Sequence, residues 1–252
     1  MASVSLIAAA GRSLLFVCPA HGRVDLAAVC YRQFADLCEQ LNRRGLHADV
    51  LVIADDRNLD HAADANLLTL EHDNRLGAKF NAGYTYAAEH GYEYACAVGN
   101  DSWLHPDRFQ WLPDRDALLC TRNYTCVTPD AGEQHWLKLA YDGGTGSRVI
   151  PLGWLAGCDY KPLEPAQTSG CDTGTLLAIC RGVERAPHLV YTDLHPYEVI
   201  GFQSSVQITD WRHFTDRYLH ERQSPFQGLA DHYPAPLIDE VRAVYADRLV
   251  TA

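Results

Sequence analysis

The 252-residue chain lacks several features, and each absence removes a class of protein. It has no run of 18 apolar residues, so no transmembrane helix is predicted. Residues 1–17 are fairly apolar, but they carry no basic n-region and Arg12 interrupts them, so they do not read as a signal peptide. Basic residues are scarce: 21 Lys and Arg face 32 Asp and Glu, and a net charge of −11 argues against a protein that coats a phosphate backbone. A small local basic site remains compatible with that total, because steering depends on the local field. There is no Cys-x-x-Cys pair, and Cys158 and Cys171 flank a loop with no second ligand pair near them, which argues against a zinc site. The nine scattered cysteines, several on apolar faces (Cys30, Cys38, Cys96, Cys180), read as small core residues in a reducing cytoplasm. A Gly-x-Gly-x-x-Gly opening the first helix is also missing, which argues against a dinucleotide-dependent enzyme.

What is present is an ordinary globular balance, 47% hydrophobic and 21% charged, which excludes disordered and coiled-coil classes. A chain of this length buries roughly 70–75% of its unfolded surface and needs no disulfide or structural metal to fold. Apolar runs at residues 13–18, 50–54, 67–70 and 94–98 alternate with helical periodicity over 26–41 and 77–90. Gly45 and Gly91 close those two helices. This order predicts an α/β fold: a mainly parallel central sheet with helices on both faces. The second half predicts strands at 117–127, 149–155, 175–179 and 189–192, a short helix at 134–141 and a final helix at 237–249. Residues 142–147 read as a flexible loop, 199–211 fit strand or helix equally, and 225–236 read as a loop. With no repeat and no linker, residues 1–252 are read as one domain, with a nucleotide-binding half to about residue 107 and an acceptor-side half from about 108.

In a sheet of this kind ligands bind at the carboxyl ends of the strands. Three polar clusters fall at those ends, and a fourth opens a helix. Pro19, His21, Gly22 and Arg23 follow strand one, either as a plain turn or as a loop holding a nucleotide base. Asp55 and Asp56 follow strand two, where a carboxylate can accept from a base imide or a ribose hydroxyl. Asn74, Arg75, Gly77, Lys79, Asn81 and Gly83 gather at a helix start, a pattern suited to a diphosphate. Asn100 and Asp101 end strand four, ahead of His105, Pro106 and Asp107; a carboxylate there either holds Mg²⁺ or Mn²⁺ or caps a turn.

Together, residues 74–83 and 99–107 resemble the family 2 type of GT-A glycosyltransferases, and the resemblance runs over about residues 14–107. It implies a nucleotide-diphosphate sugar donor, with Asp55 or Asp56 at the nucleoside, Lys79 on the donor side and Asp101 as the second acid of an Asp-x-Asp segment. Pro19, His21, Arg23, Asn81 and Asn100 complete the donor-binding set. Gly99 stands where the first acid would be, so the implied divalent cation, Mn or Mg, is either weakly held by Asp101 with Asn100, or completed by a later ligand, for which His195 is the choice and His213 and His232 are rivals, or absent. An inverting transfer needs a base to take the proton of the acceptor hydroxyl, and Asp172 and Glu198 are the candidates, with Asp193 behind them. Trp103, Trp136, Trp154 and Trp211 can stack on sugars or serve as core. The acceptor is an unspecified hydroxyl of a glycan, a small molecule or a modified nucleic-acid base. Two other classes compete: a nucleotidyltransferase on a similar fold, and a non-catalytic nucleotide- or sugar-binding protein for which the missing acid at Gly99 speaks.

Overall fold

A computed structural model describes residues 12–72, 75–112, 117–121, 123–127, 134–138, 147–168, 171–182, 188–195, 197–202, 222–223 and 228–250. Its larger sheet begins with β1 (Ser13–Pro19), β2 (His47–Ala54), β3 (Leu68–Glu71) and β4 (Tyr94–Ala97), with β4 and β2 flanking β1 in parallel and β3 parallel to β2. β1 is buried along its whole length, which is why it is written as a continuous apolar run rather than an alternating one. Leu14, Phe16 and Cys18 face one side, where α1 (Val24–Arg43) packs Ala27, Tyr31, Phe34 and Leu37. Leu15 and Val17 face the other, against Phe80, Tyr84 and Ala87 of α3 (Leu76–Glu89). The short α2 (Asn58–Asp64), which the apolar spacing does not reveal, lies between β2 and β3.

The sheet continues through β9 (Val149–Pro151), β6 (Ala117–Thr121) and β10 (His188–Thr192), in the order β10-β6-β9-β4-β1-β2-β3. Only β9 runs against its neighbours, so the sheet is mainly parallel, as expected. A second sheet has the order β12-β8-β7-β11-β5, from β5 (Ser102–Leu104), β7 (Asn123–Val127), β8 (Gln134–Lys138), β11 (Val199–Phe202) and β12 (Arg222–Gln223). Trp103, Ile200 and Phe202 of this sheet pack against Leu26, Val29 and Cys30 of α1 and against Val241 and Tyr245 of α5 (Ala235–Val250).

Several second-half expectations are corrected. Residues 134–138 form strand β8, not a helix: β7 supplies an antiparallel partner for that stretch, which local spacing cannot see. The expected strand at 175–179 lies inside α4 (Cys171–Gly182), where Cys171, Thr175 and Ile179 are buried at helical spacing. Residues 117–127 divide into β6 and β7, in different sheets, and 149–155 is β9 followed by a 3-10 turn at Leu152–Cys158. Cys180 is exposed, unlike the buried Cys30 and Cys96. Residues 203–211 of the ambiguous stretch lie outside the described residues, as do 142–146. Among the described residues no helix is long and apolar enough to cross a membrane.

Candidate functional site

The turn after β1 is built from two consecutive left-handed residues, Gly22 (φ 60°) and Arg23 (φ 52°). An arginine in that region costs about 1 kcal/mol or more, so the surroundings must hold it there. They do so by hydrogen bonds. Asp56 Oδ2 accepts from the Gly22 N–H at 2.9 Å, and Asn58 Nδ2 donates to the Gly22 carbonyl at 3.1 Å. Asp56 Oδ1 also accepts from the Asn58 N–H at 2.9 Å and from its side chain at 2.6 Å. Burial opposes the Asp56 charge, but these bonds and the nearby His21 outweigh it and hold the carboxyl below its usual range. Asn58 is fully buried and also accepts from the Tyr31 hydroxyl at 2.9 Å. Neither Asn58 nor Tyr31 was singled out in the sequence; the one available signal was a buried-type spacing of Tyr31 on α1.

Arg23 then reaches across to the end of β4. Its Nη1 lies 2.5 Å from Asp101 Oδ2, and its Nη2 donates to Asn100 Oδ1 at 2.8 Å. Both side chains of the ion pair are mostly buried, at 19% and 14% exposed. Gly99 has no side chain, and a Cβ there would sit 2.4 Å from Asp101 Oδ1. The segment thus offers a divalent cation a single carboxylate, already paired with Arg23. The cation implied by the family resemblance does not fit the segment as built.

Lys79 is the second cation of this end of the sheet. Its Nζ lies 3.0 Å from the Ala20 carbonyl and 3.2 Å from Asp55 Oδ1. His21 stands out from the turn, 85% exposed, with Nδ1 3.8 Å from Asp55. Pro19 ends β1 and is buried. So Pro19, His21, Arg23, Asp55, Asp56, Lys79, Asn100 and Asp101 all gather at the carboxyl ends of β1, β2 and β4.

Asn81 is turned elsewhere. Its amide brackets Leu163, donating to the carbonyl at 2.7 Å and accepting from the N–H at 3.1 Å. This seats residues 163–167 on the start of α3, where the Gly77 N–H donates to the Gln167 carbonyl at 2.9 Å. A Cβ at Gly77 would lie 2.2 Å from the Glu164 carbonyl oxygen, and one at Gly83 2.2 Å from Val17 Cγ1. Both glycines therefore serve close packing, and the N–H at Gly77 is spent on protein. Asn74 lies outside the described residues.

Asp172 stands in the first turn of α4, and that helix walls a small cavity of about 20 Å³, room for a water, whose lining among the described residues does not include Asp172. Phe80, Tyr84, Leu118, Ile150 and Thr175 line it. Glu198 is fully buried; its carboxylate accepts from Leu194 N–H and lies within hydrogen-bond reach of Thr192, with Thr121 Oγ1 at 3.3 Å. Glu198 thereby anchors the turn between β10 and β11.

His195 joins His105 and His232 rather than the strand ends. Potential ligand atoms of these three lie within 4.8 Å of one another. The His105 and His195 rings meet edge to face at 4.5 Å, and His195 stacks on His232 at 4.2 Å. His105 Nδ1 accepts from the Asp107 N–H at 3.3 Å, and His195 Nδ1 from the Tyr197 N–H at 3.1 Å. Burial first, and the neighbouring imidazole next, push His105 down to about 4 and lower His195. The cluster sits beyond the far end of β5, four residues from Asp101, which is about 13 Å of extended chain. The other three-membered group is His21 with Asp55 and Asp56, so among the described residues neither group contains Asp101. His213 and Trp211 lie outside the described residues, and Trp103 is core, packed on Phe202 and Tyr233. Burial, with the Asp101 charge adding to it, pushes the Cys18 and Cys30 thiols up, away from nucleophilic use.

Solved structures share this fold at low sequence identity. A 1–349 fragment of S. aureus TarS in complex with UDP-GlcNAc superposes with a TM-score of 0.55 at 11% identity, over 78% of this chain and 60% of that one. The fold is GT-A-like. The same TarS fragment alone gives 0.52 at 12% identity, over 76% of this chain and 60% of that one. A variant of Drosophila β-1,4-galactosyltransferase 7, in complex with manganese, UDP-Gal and xylobiose, gives 0.51 at 12% identity, over 87% of this chain and 78% of that one. This GT-A-like chain spans about 60% of the length of the TarS fragment. No family profile matches the sequence. No curated protein matches it either. The likeness is therefore one of fold.

Proposed function

We propose that the protein is a glycosyltransferase that moves a sugar from a nucleotide-diphosphate sugar to an acceptor hydroxyl. One observation carries the reading: polar groups from three separate chain segments meet at the carboxyl ends of β1, β2 and β4, where open α/β sheets bind ligands. The neighbours of the same fold support it, since TarS is seen with UDP-GlcNAc and the galactosyltransferase with UDP-Gal. In this reading Asp55, Asp56 and His21 meet the nucleoside, Arg23 and Lys79 meet the diphosphate, and residues 1–252 act as one domain whose second half receives the acceptor. Asp172, in the first turn of α4, is the base we retain, because the Glu198 carboxylate is committed to hydrogen bonds within the protein. The cytoplasm is the location we infer; free cysteines such as Cys18, Cys96 and Cys120 support it.

The rate gain asked of such a site is electrostatic and positional: the leaving diphosphate is stabilised and the hydroxyl is aligned on the opposite face. The test is incubation with a panel of nucleotide sugars and measurement of the nucleoside diphosphate released. Slow hydrolysis of one donor is expected, with melting raised by its nucleoside diphosphate. No shift of the melting temperature with any nucleoside diphosphate would sink the reading.

A further inference from the structure

The Asp-x-Asp segment and the cation that would sit on it do not match here, and the mismatch has a definite form. Where a first acid is expected there is Gly99, and a side chain at that position would run into Asp101. The remaining carboxylate is turned toward the Gly22–Arg23 turn and holds a guanidinium instead. Asn100 supplies a second acceptor to the same fork, and it is itself fully buried, with Nδ2 3.4 Å from the Gly22 carbonyl and 3.5 Å from Asn58 Oδ1.

We propose that Arg23 takes the place of the divalent cation: its guanidinium meets the donor diphosphate, and Asp101 and Asn100 are positioning residues that aim it. This rests on the nucleotide-sugar reading of the same site. Three features of the turn support it. A guanidinium carries five N–H donors, and the bonds to Asp101 and Asn100 use two of them. The backbone of Arg23 is kept in the left-handed region by the bonds to Asp56 and Asn58, so the charge is delivered to one place. Arginine also keeps its charge at any working pH and matches phosphate oxygens two at a time, which a single exposed lysine does not.

The transfer then balances without a metal. The bond between the anomeric carbon and the diphosphate oxygen breaks, and its electron pair stays on that oxygen, whose growing charge faces Arg23. The acceptor oxygen bonds to the anomeric carbon and gives its proton to a base, for which Asp172 is the candidate.

The experiment is calorimetric titration of UDP, GDP, CDP and dTDP into the full chain, first in EDTA and then in excess MnCl₂. One diphosphate is expected to bind in EDTA, with Mn²⁺ changing its Kd by less than about threefold. Arg23→Ala should weaken that binding by about tenfold or more, and Arg23→Lys, which keeps the charge and loses the fork, should fall between. Asp101→Asn still offers Arg23 an oxygen and should retain most of the affinity that Asp101→Ala loses; a metal ligand would fail in both. Binding that appears only with Mn²⁺ overturns the proposal and leaves the nucleotide-sugar reading standing. Unchanged affinity in a folded Arg23→Lys and Arg23→Ala pair also overturns it. Absence of binding by all four diphosphates in both buffers overturns the proposal and the reading together.

Discussion

Lys79 of α3 places its ammonium between two strand ends, 3.0 Å from the carbonyl oxygen of Ala20 and 3.2 Å from Asp55, while only 4% of the residue is exposed. A side chain read from sequence as a cation beside a helix start is thus also a buried tie between α3, β1 and β2.

Lys79→Ala is therefore expected to cost stability as well as ligand affinity. It leaves the Asp55 carboxylate and the Ala20 carbonyl without their shared donor, a loss of about 1–3 kcal/mol. Urea denaturation and nucleoside diphosphate titration on the same variant check both. A fully stable variant would show that the tie contributes nothing.

Gly83→Ala should destabilise the fold by about 1–3 kcal/mol, because the added methyl meets Val17 Cγ1 at 2.2 Å and Ile53 Cδ1 at 2.9 Å. Both neighbours are wedged in the central sheet and cannot swing away as an exposed side chain would. Diphosphate affinity of the folded fraction should stay close to that of the unmodified chain. A large loss of affinity with unchanged melting would give Gly83 a ligand role instead.

Glu198→Ala should lower stability by about 1–3 kcal/mol, since it removes the buried acceptor of the Leu194 N–H, while the Thr192 hydroxyl keeps the Cys120 carbonyl. Glu198→Gln keeps the shape and should recover part of that loss and most of the donor hydrolysis. A Gln variant that folds normally and has lost all transfer would make Glu198 the base after all.

The imidazole cluster gives the protein an acid-sensitive corner. His105 is held down to about 4 when folded, against an ordinary value of 6.5. Its neutral form is the folded one, so the unfolded chain binds the extra proton. The stabilisation is complete above pH 6.5 and is lost as the pH falls toward 4. For His105, with a side chain 13% exposed, the span corresponds to about 3 kcal/mol. His195 adds in the same direction, with Asp107 and Glu198 opposing it. Denaturant unfolding at pH 7 and pH 5 should show the drop, and His232→Phe, which removes one neighbouring charge, should make it smaller. A flat profile between those values would show that the cluster opens freely to water.

The first half of the fold was legible because a strand buried on both faces must be apolar at every position, and β1 and β2 are written that way. Polar residues at their ends marked the ligand side of the sheet. The glycines of α3 were misleading for a physical reason: a close approach to Val17 or to the Glu164 carbonyl removes a side chain as surely as a phosphate does. In the second half, the stretch 175–179 held an apolar run too short to choose between strand and helix, and residues 134–138 became β8 because β7 lies beside them.

The amino-acid sequence by itself determined the α/β class, the carboxyl-end location of the polar clusters and the loss of an acid at Gly99, all of which depend on local pattern. The tertiary structure alone decided who pairs with whom. Arg23 and Asp101 are 78 positions apart, and Lys79 and Asp55 are 24 apart. No local rule joins such residues. A parallel sheet does, because it sets the carboxyl ends of β1, β2 and β4 side by side, and at that distance unlike charges bind each other before any ligand arrives.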